Sequence, residues 1–199
     1  ERGLALEREG EELGLRGKDL AVSIGVSRRD LAQGVTIGPG IDLVTASALL
    51  DLTSRGWLEQ LARGCSRAGC AVLMALSYNG LIRWQPGLED DVLVRGLINR
   101  HQRSDKGFGP ALGPAAWEVL VEALEREGYR VSTQPSNWLI PPHQPALQRT
   151  LVGDWADIAV SLEPLGGPRL EDWRRRRLEL IEAGRSRLQV GHMDLLALP

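Results

Sequence analysis

The chain has 199 residues, 43% apolar and 25% charged, and its 24 Lys and Arg face 26 Asp and Glu for a formal charge of −2. That composition supports a substantial core and excludes disorder, collagen-like repeats and coiled coils. A near-neutral balance supplies no field to draw the chain onto nucleic acid or an anionic membrane, so nucleic acid is disfavoured as a partner. Length predicts about one domain, and with no internal repeat or low-complexity linker residues 1–199 read as a single domain. No secretory segment is apparent and no apolar run approaches the ~20 residues that span a bilayer, so a cytoplasmic setting without membrane attachment is expected. Cys65 and Cys70 have no His or further Cys near them. They cannot assemble a zinc site and read as small buried apolar residues; no metal is expected.

In chain order, Leu4, Leu6 and Leu13 among Glu and Arg predict a helix to about residue 13, stopped by Gly14 and Gly17. Leu20, Val22, Ile24 and Val26 alternate with small residues as in a strand, closed by the polar string Ser27 to Asp30. Ile41 to Leu50 is nearly continuously apolar or small and reads as a central strand covered on both faces. Thr53 or Ser54 can cap a helix with Trp57 or Leu58, Leu61, Cys65 and Ala68 on its apolar side and Gly69 past its end. Cys70 to Tyr78 repeats the buried-strand signature. Strand, helix, strand with short joins is a βαβ unit, so the fold class is α/β with parallel pairing.

Residues 79–128 read as an insertion: a turn at Asn79-Gly80, a helix over Glu89 to Arg103, a Gly- and Pro-rich loop from Ser104 to Gly113, and a helix from Pro114 to Gly128. Tyr129, Val131 and Thr133 open a strand. Helices follow from Gln144 to Leu162 and from about Arg169 to Ala183, and the chain ends in a strand over Leu188 to Leu198. The run Arg174 to Arg177 reads as a solvated helix face.

Ligands of open α/β sheets bind beyond the carboxyl ends of the strands, which here are Asp30-Leu31, Ala48 to Asp51, and Ser77 to Asn79. Asp30 is either a site acceptor or a loop acid capping its own turn, and Asp51 is either an N-cap or a site carboxylate. Tyr78 and Asn79 offer a phenol and an amide to orient an acceptor, although Asn79-Gly80 is also an ordinary turn sequence. His101, Arg103, Asp105 and Lys106 crowd the irregular loop, either as a lid with His101 as base or as a solvated helix end. His192 shares a strand face with Leu188 and Val190 and reads as structural; His143 reads as surface.

The stretch Asp42 to Thr53 (DLVTASALLDLT) resembles the fourth motif of the class I S-adenosylmethionine-dependent methyltransferases, and Arg29-Asp30-Leu31 and the strand that ends the chain agree with it. The resemblance implies a Rossmann-like, doubly wound, mostly parallel sheet whose C-terminal strand inserts antiparallel between its neighbours. It also implies S-adenosylmethionine as cofactor, contacted by Asp30, Leu31, Ala46, Ser47 and Ala48. A small-molecule or protein methyl acceptor would meet Asp51, Tyr78, Asn79, His101 and Lys106, with His101 and Tyr78 as catalytic candidates. The family's Gly-rich first motif has no counterpart, because Gly34 to Gly40 precedes a strand instead of opening a helix. Counted against the family, the first two strands are missing, and an upstream segment is expected. The alternative is a noncatalytic remnant or accessory subunit that binds a partner through the open sheet edge. A hydrolase or dehydrogenase is disfavoured without a G-x-S-x-G or G-x-G-x-x-G turn.

Overall fold

The structure, a computed structural model, describes residues 5–9, 12–16 and 21–199, with side chains from residue 21 onward. The chain forms two compact units, residues 1–33 and 34–199.

The first unit is a three-stranded antiparallel sheet of β1 (Ala5–Glu9), β2 (Glu12–Arg16) and β3 (Ala21–Gly25), followed by a 3-10 turn over Leu31–Gln33. The helix expected up to residue 13 is therefore replaced, over the described residues, by two strands. The physical reason is legible in retrospect: Leu13 and Leu15 alternate with period 2, and the register sets them opposite Ile24 and Val22. Of the strand expected over Leu20 to Val26, Ala21–Gly25 does form and pairs antiparallel with β2.

The second unit is built on β4 (Leu43–Ser47), β5 (Ala71–Gln85), β6 (Arg130–Pro135), β7 (Trp138–Ile140) and β8 (Arg187–Leu198), in the order β4-β5-β8-β6 with β7 also on β8. β4 and β5 are parallel, and β8 runs antiparallel between β5 and β6. This is the mostly parallel, Rossmann-like arrangement with an inserted C-terminal strand. α1 (Arg55–Ala68) joins β4 to β5, and its chain reversal is closed by Gly69 at φ 67°, a left-handed position suited to glycine.

The other helices are α2 (Asp91–Gln102), α3 (Ala116–Arg126), α4 (Pro145–Leu162) and α5 (Gly167–Glu182). Two apolar clusters hold the unit together. In the first, Leu58, Leu61 and Cys65 of α1 and Leu120 and Leu124 of α3 pack on Val72, Met74, Leu195 and Ala197. In the second, α2, α4 and α5 pack on Tyr78, Ile82, Trp84, Leu188 and Val190. Both cysteines are free and buried, and burial and its neighbour Cys70 push the Cys65 thiol up to about 12.

Three expectations are corrected. β4 is an edge strand among the described residues and only one of its faces is packed, so Leu43 stays 48% exposed. Asn79-Gly80 does not turn the chain: Asn79 Oδ1 accepts from Leu81 N at 3.1 Å, the ladder shifts register there, and β5 continues to Gln85. The Arg174 to Arg177 run is not wholly solvated, because Arg177 is fully buried. Its guanidinium pairs with Asp91 through Nε at 3.1 Å and through Nη2, donates from Nη1 to Pro86 O at 2.8 Å, and lies 5.2 Å from the Trp84 ring centre.

Candidate functional site

A cavity of about 180 Å³ opens beyond the carboxyl end of β4. Ala48 and Asp51 reach it from the turn after β4, Leu76 and Tyr78 from β5, Gln102 from the end of α2, and His192 from β8. Ile82, Ile98, Trp155 and Val190 complete an apolar wall. Among the described residues no Lys or Arg lines it.

Two backbone positions here are left-handed without being glycine: Ala48 at φ 53° and Leu76 at φ 54°. Each costs on the order of 1–2 kcal/mol and persists only where its surroundings hold it. Ala48 N donates to Ala75 O at 3.0 Å. Leu76 N donates to Asp194 Oδ1 at 2.8 Å, and the same oxygen accepts from Ser136 Oγ at 2.6 Å. β5 therefore breaks its register between Met74 and Ser77, where it borders the cavity, and a buried-side carboxylate fixes the break.

The polar groups are differently prepared. Tyr78 donates its hydroxyl hydrogen to Asn99 Oδ1 at 2.8 Å, and Asn99 Nδ2 is in turn anchored on Gly80 O at 3.1 Å. Burial raises the Tyr78 pKa, so the phenol stays neutral and its oxygen keeps acceptor capacity. Burial also raises the Asp51 carboxyl, against the pull of its own backbone amide. The His192 imidazole is 7% exposed, and its Nδ1 is buried without a partner. Burial lowers its pKa, opposed by the Val190 backbone and the Asp194 carboxylate, which favours the neutral ring. Trp138 and Tyr78 flank that ring at centroid distances of 4.9 and 6.3 Å, and Asn137 Oδ1 accepts from the His192 backbone N at 3.1 Å. A neutral imidazole, a carboxyl with raised pKa and a fixed phenol around one small apolar cavity can orient a ligand and take up a proton.

Of the residues singled out in the sequence, Ala48, Asp51 and Tyr78 are brought together here. Ser47 ends β4 next to Ala48, while Ala46 packs against the first apolar cluster. Asn79 is spent on the bulge. His101 lies 3.4 Å from Lys106 Nζ, and burial followed by that ammonium lowers its pKa, but neither residue lines the cavity. The irregular loop is pinned, with Leu112 N donating to Thr53 O at 2.9 Å and Phe108 packing edge-on against Trp57. Asp30 and Leu31 belong to the first unit, where the Asp30 carboxylate accepts from Ala32 N at 3.0 Å and from the Gln33 side chain, capping its own turn.

Sequence reasoning did not place Gln102 or Trp155 at this cavity, and it read His192 as structural, whereas His192 lines the cavity. A signal was available. Gly191 interrupts an apolar strand, which marks close backbone approach; a Cβ there would lie 2.6 Å from Leu81 Cβ and would overlap Asn79 Oδ1, and the same pairing sets His192 opposite Tyr78.

Fold and site together define an α/β protein with a cavity at the carboxyl end of its parallel strands, where open α/β sheets bind their ligands. No family model and no curated protein matches the chain. Among solved structures it is similar to the cyclopropane synthase MmaA2 from Mycobacterium tuberculosis, at 11% identity and TM-score 0.34, covering 81% of this chain and 56% of that one. It is also similar to a phosphoethanolamine N-methyltransferase 2 from Haemonchus contortus, solved with phosphomonomethylethanolamine and S-adenosylhomocysteine, at 13% identity and TM-score 0.35, covering 85% of this chain and 36% of that one. The chain thus spans about half of the first and a third of the second. Among the described residues no helix is long and apolar enough to cross a membrane.

Proposed function

We propose that this chain carries the acceptor side of an S-adenosylmethionine-dependent methyl transfer. The observation that supports it is the coincidence at one cavity of the turn that ends the DLVTAS strand, with Ala48 left-handed, and three polar groups, Asp51, Tyr78 and His192, prepared for proton chemistry. S-adenosylmethionine, when bound, supplies an electrophilic methyl group. The small side chains of Ser47 and Ala48 leave room for backbone approach to such a cofactor, and the buried, unpartnered Nδ1 of His192 has capacity for a ligand proton.

The acceptor is small. A cavity near 180 Å³ admits roughly one ring, and its lining is mostly apolar with Asp51, Tyr78, Gln102 and His192 as polar groups, so a small neutral phenol or amine fits. Trp155 and Ile98 exclude water, neutral His192 takes the proton released as the acceptor oxygen or nitrogen is methylated, and Tyr78 Oη accepts from a second N–H where the acceptor is an amine. Removing such a base costs about 10²–10⁴ in rate. The test is transfer of label from S-adenosyl-[methyl-³H]methionine to a panel of phenols and aryl amines. His192→Gln should lower transfer at least 100-fold at unchanged S-adenosylhomocysteine affinity; equal turnover in the variant overturns the assignment of the base.

A further inference from the structure

A second concavity, of about 240 Å³, lies along the distal ends of β5 and β8 and shares no lining residue with the cavity above. Alternation along these strands creates it. Ile82, Trp84, Leu188 and Val190 point into the second apolar cluster, so their neighbours Arg83, Gln85, Arg187 and Gln189 emerge on the opposite face. The register sets Arg83 opposite Gln189 and Gln85 opposite Arg187, which makes the two arginines diagonal neighbours on that face. Such positions are about 7–8 Å apart, within reach of long side chains. β7 closes the side, with Leu139 opposite Gln189 and Pro141 next in line.

This face has an unbalanced charge. Neither Arg83 nor Arg187 has a carboxylate partner among the described residues, and no Asp or Glu lines the concavity. Other arginines of the unit also lack an acid partner, but this face brings two of them together on one concavity. Like charges on adjacent rows of a sheet repel, and an anion between them would remove that cost. Guanidinium forks and two amides match an oxyanion, while Leu139, 73% exposed, and Pro141 offer an apolar shelf beside them.

We propose that this concavity binds an oxyanion carried on an apolar group, held by Arg83 and Arg187 with the apolar part on Leu139 and Pro141. The probes are phenyl phosphate, benzoate, inorganic phosphate and phenol, titrated into the full chain and followed by calorimetry and by amide shifts of Arg83, Leu139 and Arg187. Phenyl phosphate should bind saturably and at least tenfold tighter than inorganic phosphate or phenol; benzoate at equal strength would place carboxylates in the same class, and benzoate much weaker would narrow the ligand to phosphates. Arg83→Gln with Arg187→Gln should abolish binding at unchanged far-UV circular dichroism, and Leu139→Ala should erase the preference of phenyl phosphate over inorganic phosphate. Equal, unsaturable binding of all four probes, or binding untouched by the double variant, overturns the proposal.

Discussion

Asp91→Asn tests the packing that supports the site. The Asp91 carboxylate accepts from Leu88 N at 2.8 Å, Trp173 Nε1 at 2.9 Å, and Arg177 Nε at 3.1 Å and Nη2. Asparagine leaves one acceptor oxygen, turns the other position into a donor facing donors, and strands the guanidinium of Arg177, which has no solvent access. Burial already lowers the Arg177 pKa, and Asp91 is the counter-charge that opposes this. Removing one partner of a buried pair costs about 3–5 kcal/mol, because the other charge is left uncompensated. At about 2–4 °C per kcal/mol for a chain of this size, the melting temperature should fall by roughly 6–20 °C. Urea denaturation read by tryptophan fluorescence reports directly, since Trp84, Trp155 and Trp173 surround the pair. Adding Arg177→Met to Asp91→Asn should recover part of the loss. A loss below about 1 kcal/mol for Asp91→Asn, or strictly additive single and double variants, refutes the reasoning.

Three further outcomes follow from particular contacts. Gly191→Ala should destabilise by roughly 1–3 kcal/mol in urea, because its Cβ would meet Leu81 Cβ at 2.6 Å in a packed ribbon; an unchanged midpoint would show that the bulge at Asn79 yields freely. His192 has a folded pKa below its ordinary 6.5, so stability is fully present above pH 6.5 and is lost as pH falls through the folded value, a slope that His192→Gln should flatten in melting curves. Asp51 has the opposite sign: its pKa is raised above 3.8, so stability is gained as pH falls through the folded value, and Asp51→Asn should be stabilising at neutral pH.

The second unit was largely legible because its signals are local and periodic. The strand runs of β4 and of the first half of β5, the apolar stripe of α1 with Gly69 after it, and the final strand all appear where the residue pattern puts them. What escaped depends on contacts distant in sequence. His192 meets Tyr78 only because β8 inserts beside β5, and Asp194 supports Leu76 across 118 positions. Arg177 sits in a run of four arginines, and nothing local distinguishes the buried one from its exposed neighbours. Asn79-Gly80 has turn chemistry but serves a bulge, since continued pairing with β8 outweighs the local preference. In the first unit leucine spacing suggested a helix, whereas the described residues pair as strands β1, β2 and β3.

The central claim is that the turn after β4 receives S-adenosylmethionine beside a proton-accepting cavity. Calorimetric titration of S-adenosylhomocysteine into the protein as encoded by its complete reading frame tests this most directly, with Ala48→Leu and Tyr78→Phe alongside. Saturable binding to the unaltered protein is predicted, weakened at least tenfold by Ala48→Leu, which fills the approach beside Ser47, and unchanged by Tyr78→Phe, which touches only the acceptor side. Absence of binding to the unaltered protein, or the same affinity in Ala48→Leu, would contradict the account.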